Sequence, residues 1–200
     1  MRIPSRLLAG LTAVAAATTL GLTGGAAHAE TQVRDDQAGD TVAPSITRVS
    51  PQSSADIVRL TGNHGPDRLK FTFDLVDLTP GELVNVSARF LSPGGRDHYL
   101  TLTRNNQGKI ISLVRNDGDR GELPCAGAAG SVLNAKDRVI VSVPRSCIGN
   151  PRSVRFGGGV FATTQFTARG IIPTSAVDDA RRDGSVGQEI RLGTRELDRG

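Results

Sequence analysis

This 200-residue sequence predicts an all-β fold, an antiparallel β-sandwich of jelly-roll or immunoglobulin-like type. Three observations lead there. Short apolar–polar alternations recur along the chain, each giving one core face and one solvent face, as in sheets that are solvated on one side. Turns rich in Gly, Pro, Asn and Asp separate them about every ten residues, the spacing of sandwiches and barrels. No stretch carries apolar residues at the period of an amphipathic helix of useful length. An open or closed barrel satisfies the same alternation, which by itself does not separate the two.

Residues 1–29 read as a Sec-type export signal. Arg2 and Arg6 give a positive start, Leu7 to Leu22 an apolar run, and Ala27-His28-Ala29 a small-x-small site with cleavage expected after Ala29. A spanning helix needs about 20 predominantly apolar residues, and this run is broken by Gly and Thr. No Arg-Arg pair marks twin-arginine export, and no cysteine stands at the cleavage site to take a lipid. The expectation is a secreted, extracellular protein with no membrane span after cleavage.

Residues 30–54 form a polar lead containing Asp35-Asp36-Gln-Ala-Gly-Asp40, and residues 55–200 the sandwich domain. Asp56 to Leu60 is the first strand, closed by Thr61-Gly-Asn-His-Gly-Pro66. In Arg68 to Leu75, residues Leu69, Phe71, Phe73 and Leu75 face inward and Arg68, Lys70, Thr72 and Asp74 outward. Thr79-Pro-Gly81 turns the chain, and Val84, Val86, Ala88 and Phe90 then point to the core. Ser92-Pro-Gly-Gly95 makes the next hairpin loop, followed by the pair Tyr99–Thr103 and Lys109–Val114 and the turn Asn116–Asp119. A Gly- and Ala-rich segment leads to Asp137–Pro144, where Val139, Val141 and Val143 share one face. Ser153–Phe156 and Val160–Thr164 flank Gly157-Gly-Gly159, which reads as a bulge or a close backbone approach. Asp178 to Gly184 is a charged loop, and Glu189–Leu192 a last short strand.

Cys125 and Cys147 are the only cysteines, 22 residues apart, and in an oxidising compartment they are expected to pair. Charge gives little direction. The signal holds two of the 24 basic residues, which leaves 22 against 20 acidic ones, a net +2 and no case for a nucleic-acid partner.

With Val141-Ser-Val-Pro-Arg-Ser-Cys-Ile-Gly-Asn-Pro-Arg152 the chain resembles a family of small secreted actinobacterial proteins, mostly without an assigned role. The shared pattern has an early Asp-x-x-Gly-Asp segment (Asp36 to Asp40), a strand opening Asp56-Ile57, and a following His64-Gly65. It continues with Val-Pro-x-Ser-Cys-Leu-Gly-x-Pro and a late Asp-Asp-Ala-x-x-Asp-Gly, here Asp178 to Gly184; Ile148 stands where Leu is usual and Ser153 where Trp is common. The resemblance implies a secreted β-sandwich and no reaction. A more distant likeness to carbohydrate-binding and DOMON-type sandwiches is one of fold.

Four chemistries are open to such a chain. Asp35, Asp36 and Asp40, with Asp178, Asp179 or Asp183, offer hard oxygen ligands for Ca²⁺, which takes 6–8 of them, although the EF-hand spacing is absent. Acidic, Gly-containing loops are otherwise plain turns, with Asp bonded to its own backbone. Cys147 with His64 or His98 is the one conceivable nucleophile–base pair, but both histidines sit in turn-like contexts that predict surface positions. No Gly-x-Ser-x-Gly or His-Glu-x-x-His motif occurs, so no catalytic residue is assigned. Sugar stacking wants exposed Trp or Tyr; the chain has no Trp and a single tyrosine, Tyr99. Arg89, Arg104, Arg115 and Arg138 are outward positions that would make a basic patch for anionic envelope polymers, if their acidic neighbours leave them free. The expectation is a secreted, non-enzymatic binding or structural module, the alternatives being a Ca²⁺-dependent binding module and a cell-wall-modifying enzyme.

Overall fold

The alternation is realised as two antiparallel sheets in the computed structural model, which describes residues 29–43, 53–117, 121–163 and 175–200. The segment expected to be an export signal, up to residue 28, and part of the lead (44–52) lie outside the described residues. So do the end of the Asn116–Asp119 turn (118–120) and the stretch 164–174. Strands are numbered β1 to β12 along the chain. One sheet carries, in spatial order, β1 (Glu30–Asp35), β2 (Ile57–His64), β3 (Arg68–Leu75), β9 (Arg138–Pro144) and β8 (Ala129–Leu133). The other carries β11 (Ser175–Asp179), β10 (Ser153–Thr163), β4 (Leu83–Ser92), β5 (Arg96–Asn105), β6 (Gly108–Arg115) and β7 (Gly121–Glu122). A short β12 (Leu197–Asp198) pairs with the first two residues of β10. The fold is a sandwich. Among the described residues no helix is long and apolar enough to cross a membrane.

Burial follows the expected parity. Leu69, Phe71, Phe73 and Leu75 of β3 and Val139, Val141 and Val143 of β9 face Val84, Val86, Ala88 and Phe90 of β4 across the core. Phe71 bridges the two sheets, stacked on Phe90 at 5.7 Å and tilted against Phe156 of β10 at 5.4 Å. Burying such rings supplies roughly 2–3 kcal/mol each, which is why period-two patterning decides the architecture.

The glycine run is a close approach on both faces, without a break in β10. Gly158 faces the core, where a Cβ would stand 2.5 Å from the Phe73 ring. Gly157 and Gly159 face outward beneath a strap formed by residues 186–193, whose Ile190 would lie 3.2 Å from a Cβ on Gly159. Gly193 N–H donates to the Phe156 carbonyl at 2.9 Å and fixes the strap's end. The expected strand Glu189–Leu192 is therefore this irregular strap, and the last strand lies at Leu197–Asp198. Four strands lie in segments expected to be loop or left without a strand: Glu30–Asp35 adds to β2 as an edge, Ala129–Leu133 to β9, and Gly121–Glu122 to β6. The fourth, Ser175–Asp179, adds to β10, where pairing buries Asp178 and Asp179 at the start of the expected charged loop. β2 runs past the expected turn at Thr61 to His64, because Gly62 leaves room for Phe156, whose ring would meet a Cβ at 2.6 Å.

Cys125 and Cys147 are bonded, with Cα atoms 5.8 Å apart. The bridge ties the approach to β8 to the 3₁₀ turn Arg145–Ile148 that follows β9. Arg145 is buried in that turn and donates to the Pro66, Asn150 and Pro151 carbonyls. One guanidinium thus joins the loop between β2 and β3 to the proline–cysteine turn.

Candidate metal centre

Between the edge strands β1 and β11 one side of the sandwich is closed by residues 36–43. Asp36 N–H donates to the Val58 carbonyl of β2 at 3.0 Å, and Val42 bridges to Val177 of β11. The segment therefore straddles both sheets and carries Asp36 and Asp40 over the seam. Asp56 enters the seam just ahead of β2. Asp178, opposite Val160 in β11, points inward to meet it.

Each carboxylate is held in place by a backbone donor. Asp36 Oδ1 accepts from Gln37 N–H (3.1 Å), Asp40 Oδ2 from Gly184 N–H (3.0 Å) and Asp56 Oδ2 from Gly39 N–H (2.7 Å). Asp178 Oδ2 accepts from Ile57 N–H at 2.7 Å. The other oxygens of three of them, Asp36 Oδ2, Asp40 Oδ1 and Asp56 Oδ1, are buried and meet no donor. Carboxylate oxygens of Asp40, Asp56 and Asp178 lie within 4.8 Å of one another, and so do those of Asp36, Asp40 and Asp183. The two triads share Asp40.

Electrostatics follows from that crowding. Burial, with Asp40 and Asp36 close by, pushes the Asp178 carboxyl up to about 8, against the opposing Ile57 N–H. Burial also lifts Asp36 to about 6, with Asp40 and Asp183 adding and Gln37 N–H and Arg34 opposing. Asp56 is raised by burial and by Asp40, against the Gly39 N–H. Asp56 is 6% exposed and Asp178 2%, so water does little to screen the repulsion. A hard divalent cation at either triad would replace like-charge repulsion with carboxylate coordination, the hard-oxygen chemistry that Ca²⁺ takes, and Asp40 is the residue common to both.

Of the six aspartates expected to offer ligands, four come together: Asp36, Asp40, Asp178 and Asp183. Asp35 does not. It points the opposite way on β1 and pairs with Arg59 at 2.6 Å on the surface. Asp179 faces the outer side of β11, where it accepts from Arg191 N–H (2.9 Å) and Arg181 N–H (3.2 Å) and pairs with Arg182. Asp56 is the fifth member, and in the sequence it shows only as the opening of a strand. Its signal is an Asp directly before the inward Ile57, a polar residue at the mouth of the core.

The other candidates separate. Cys147 is held in the disulfide, and His64 and His98 are buried within the sandwich rather than on its surface. His98 stacks on Phe90 at 5.2 Å. The expected basic patch is absent as a patch: Arg89 is chelated by Asp97 (2.8 Å) and Glu189 (2.7 Å), and Arg138 is paired with Asp74 (2.5 Å). Arg115 pairs with Asp117 at 3.2 Å, and Arg104 bonds Asn134 Oδ1 and the Thr79 carbonyl, both at 2.8 Å. Tyr99 is half-buried and lies under Arg89, 5.7 Å from its guanidinium.

Compared with protein-family models, with curated proteins and with solved structures, the chain matches none.

Proposed function

We propose that this chain is an exported, non-enzymatic binding module whose β-sandwich is completed by Ca²⁺. The observation that carries the reading is Asp56: a carboxylate 6% exposed, fixed by Gly39 N–H through one oxygen, with its other oxygen donorless beside Asp40 and Asp178. Leaving a buried charge unpaired costs several kcal/mol, so a seam built this way favours a cation over an empty site. Export is supported by the pattern of residues 1–29 and by the Cys125–Cys147 bond. Four backbone N–H groups orient the carboxylates before any ion arrives, which lowers the ordering cost of binding.

The test is a thermal melt of the exported protein in EDTA, in Mg²⁺ and in Ca²⁺. Free Ca²⁺ at about 100 times its Kd should add about 2.7 kcal/mol to the native state, a shift of several degrees. Mg²⁺ should add less, because it demands tighter octahedral geometry and gives up water reluctantly. Asp56→Asn should melt higher than wild type in EDTA, by relief of repulsion, and should lose the Ca²⁺ shift. Identical wild-type curves in EDTA and Ca²⁺ would overturn the reading.

A further inference from the structure

A second set of charges, of opposite sign, lies on the far side of Asp183. Arg34 of β1, Arg181 and Arg182 after β11, and Arg191 of the strap line a cleft of about 560 Å³, with Asp183 and Ser185 at its wall. A narrower cleft of about 290 Å³ continues from it along β1, past Thr31 and Gln32 to Thr194 and Arg195. Arg34 and Arg181 belong to both walls, so the two form one elongated groove.

Arginines on a protein surface usually find carboxylates, as Arg89, Arg115 and Arg138 do here. In this groove, Arg181 and Arg191 have no carboxylate within 4.0 Å among the described residues, and Arg34 reaches only Asp183, at 3.9 Å. Arg181 is fixed instead by structure. Its Nε donates to the Phe156 carbonyl at 3.2 Å, and its guanidinium stacks 5.5 Å from the Phe156 ring and rests on Gly193. Burial, followed by the charges of Arg34 and Arg191, pulls its pKa below the ordinary arginine value, against Asp179 and Asp36. Arg191 is tethered through a long contact to the Arg181 carbonyl (3.5 Å), and Arg34 through the Ala180 carbonyl (3.3 Å). The three cations are thus held side by side by backbone carbonyls, and their outer N–H groups remain for a ligand.

We propose that the groove bounded by Arg34, Arg181 and Arg191 binds a linear polyanion that carries phosphate-type oxyanions along its length. The guanidinium fork matches such groups with two parallel N–H···O bonds, and pre-oriented forks lose little freedom on binding. The length of the groove selects a chain over a single ion. Its neutral lining, Thr31, Gln32, Ser185 and Thr194, offers hydroxyl and amide partners and no aromatic ring on which a base could stack. That disfavours a nucleic acid and favours a base-free polymer such as phosphate-bridged polyols. The groove meets the acid cluster at Asp183, yet none of its three arginines depends on a cation for its position.

Linear inorganic polyphosphate is the probe, titrated calorimetrically into the exported protein in EDTA and again in Ca²⁺, with orthophosphate and single-stranded DNA as competitors. The expected result is saturable binding in both buffers, weakened by salt, with polyphosphate far tighter than orthophosphate. Arg191→Gln, at an exposed position that leaves the core untouched, should cut affinity by about tenfold or more, and Arg181→Gln at least as much. Both variants should keep the wild-type circular dichroism spectrum, and Arg138→Gln, paired with Asp74 elsewhere, should bind as wild type. Polyphosphate affinity unchanged in Arg191→Gln overturns the proposal, as does no binding at all. DNA competing as well as polyphosphate would overturn the base-free assignment. Because the titration in EDTA reads the groove alone, its failure and the failure of the Ca²⁺ reading are distinguishable.

Discussion

His64 keeps its Nδ1–H on the Leu197 carbonyl at 3.1 Å, while Nε2 is sealed in the sandwich without a partner. Burial, then Arg145 and Arg199, holds its pKa below the ordinary value, against the Leu197 bond and Asp198. A histidine depressed in this way takes up its proton more readily in the unfolded chain. Its contribution to stability is therefore complete above about pH 6.5 and is lost as pH falls towards and through the folded value. The carboxylates of the seam titrate in the opposite sense, so the measurement has to be differential. In Ca²⁺ buffer, the melting temperature of wild type should drop more steeply than that of His64→Asn between about pH 7 and pH 5. Parallel profiles would mean that His64 is not neutral in the fold. Residue identity shows little of this in advance. His64 follows Gly62-Asn63 and looks like a turn, and only the room that Gly62 makes for Phe156 lets the strand run on and carry His64 inside.

At the scale of elements, legibility follows the number of covered faces. β3, β4 and β9 are interior strands with one face on the core, and their alternation marks both their limits and their parity. β1 and β8 are edge strands whose residues are all half-buried or exposed, so no hydrophobic period announces them. The strap over Gly157 and Gly159 is legible only as its imprint, three glycines where a strand should carry side chains. The disulfide belongs to this scale too, since it links the segments flanking β8 and β9. Closing a loop of 22 residues stabilises by roughly 3 kcal/mol in the chain-entropy picture. The double variant Cys125→Ala, Cys147→Ala should lose about that much in urea unfolding, with its β-type circular dichroism retained at low temperature. Thiol labelling of the denatured, unreduced wild type should find no free cysteine. A variant as stable as wild type would show that β8 is anchored by its pairing with β9 alone.

Across the whole molecule, a net charge of +2 for residues 30–200 conceals a separation of sign. Asp36, Asp40, Asp56 and Asp178 gather in the seam, and Arg34, Arg181 and Arg191 in the groove beside it. Neither set is contiguous in sequence. Each is assembled because β1 pairs with β2 while Val42 and the strap reach β11 and β10 in the other sheet. The acidic run at 35–40 and the charged stretch at 178–184 show as isolated clusters in the chain, and it is the topology that brings them to one edge.

The same edge holds the beginning of the first strand against the end of the last. Glu30 accepts from Asp198 N–H and pairs with Arg195 at 2.9 Å, Gln32 donates to the Glu196 carbonyl, and Gly200 N–H reaches the His64 carbonyl at 3.3 Å. The first and last strands described therefore lie side by side. A permuted chain, with Gly200 joined to Glu30 by a few glycines and new ends opened in the Asn106–Gln107 turn between β5 and β6, preserves every strand pair described. It should refold to the same spectrum, with Cys125 and Cys147 still finding each other. A permuted chain that fails to fold would show that the order in which strands are made, and not only where they end up, is written into this sequence.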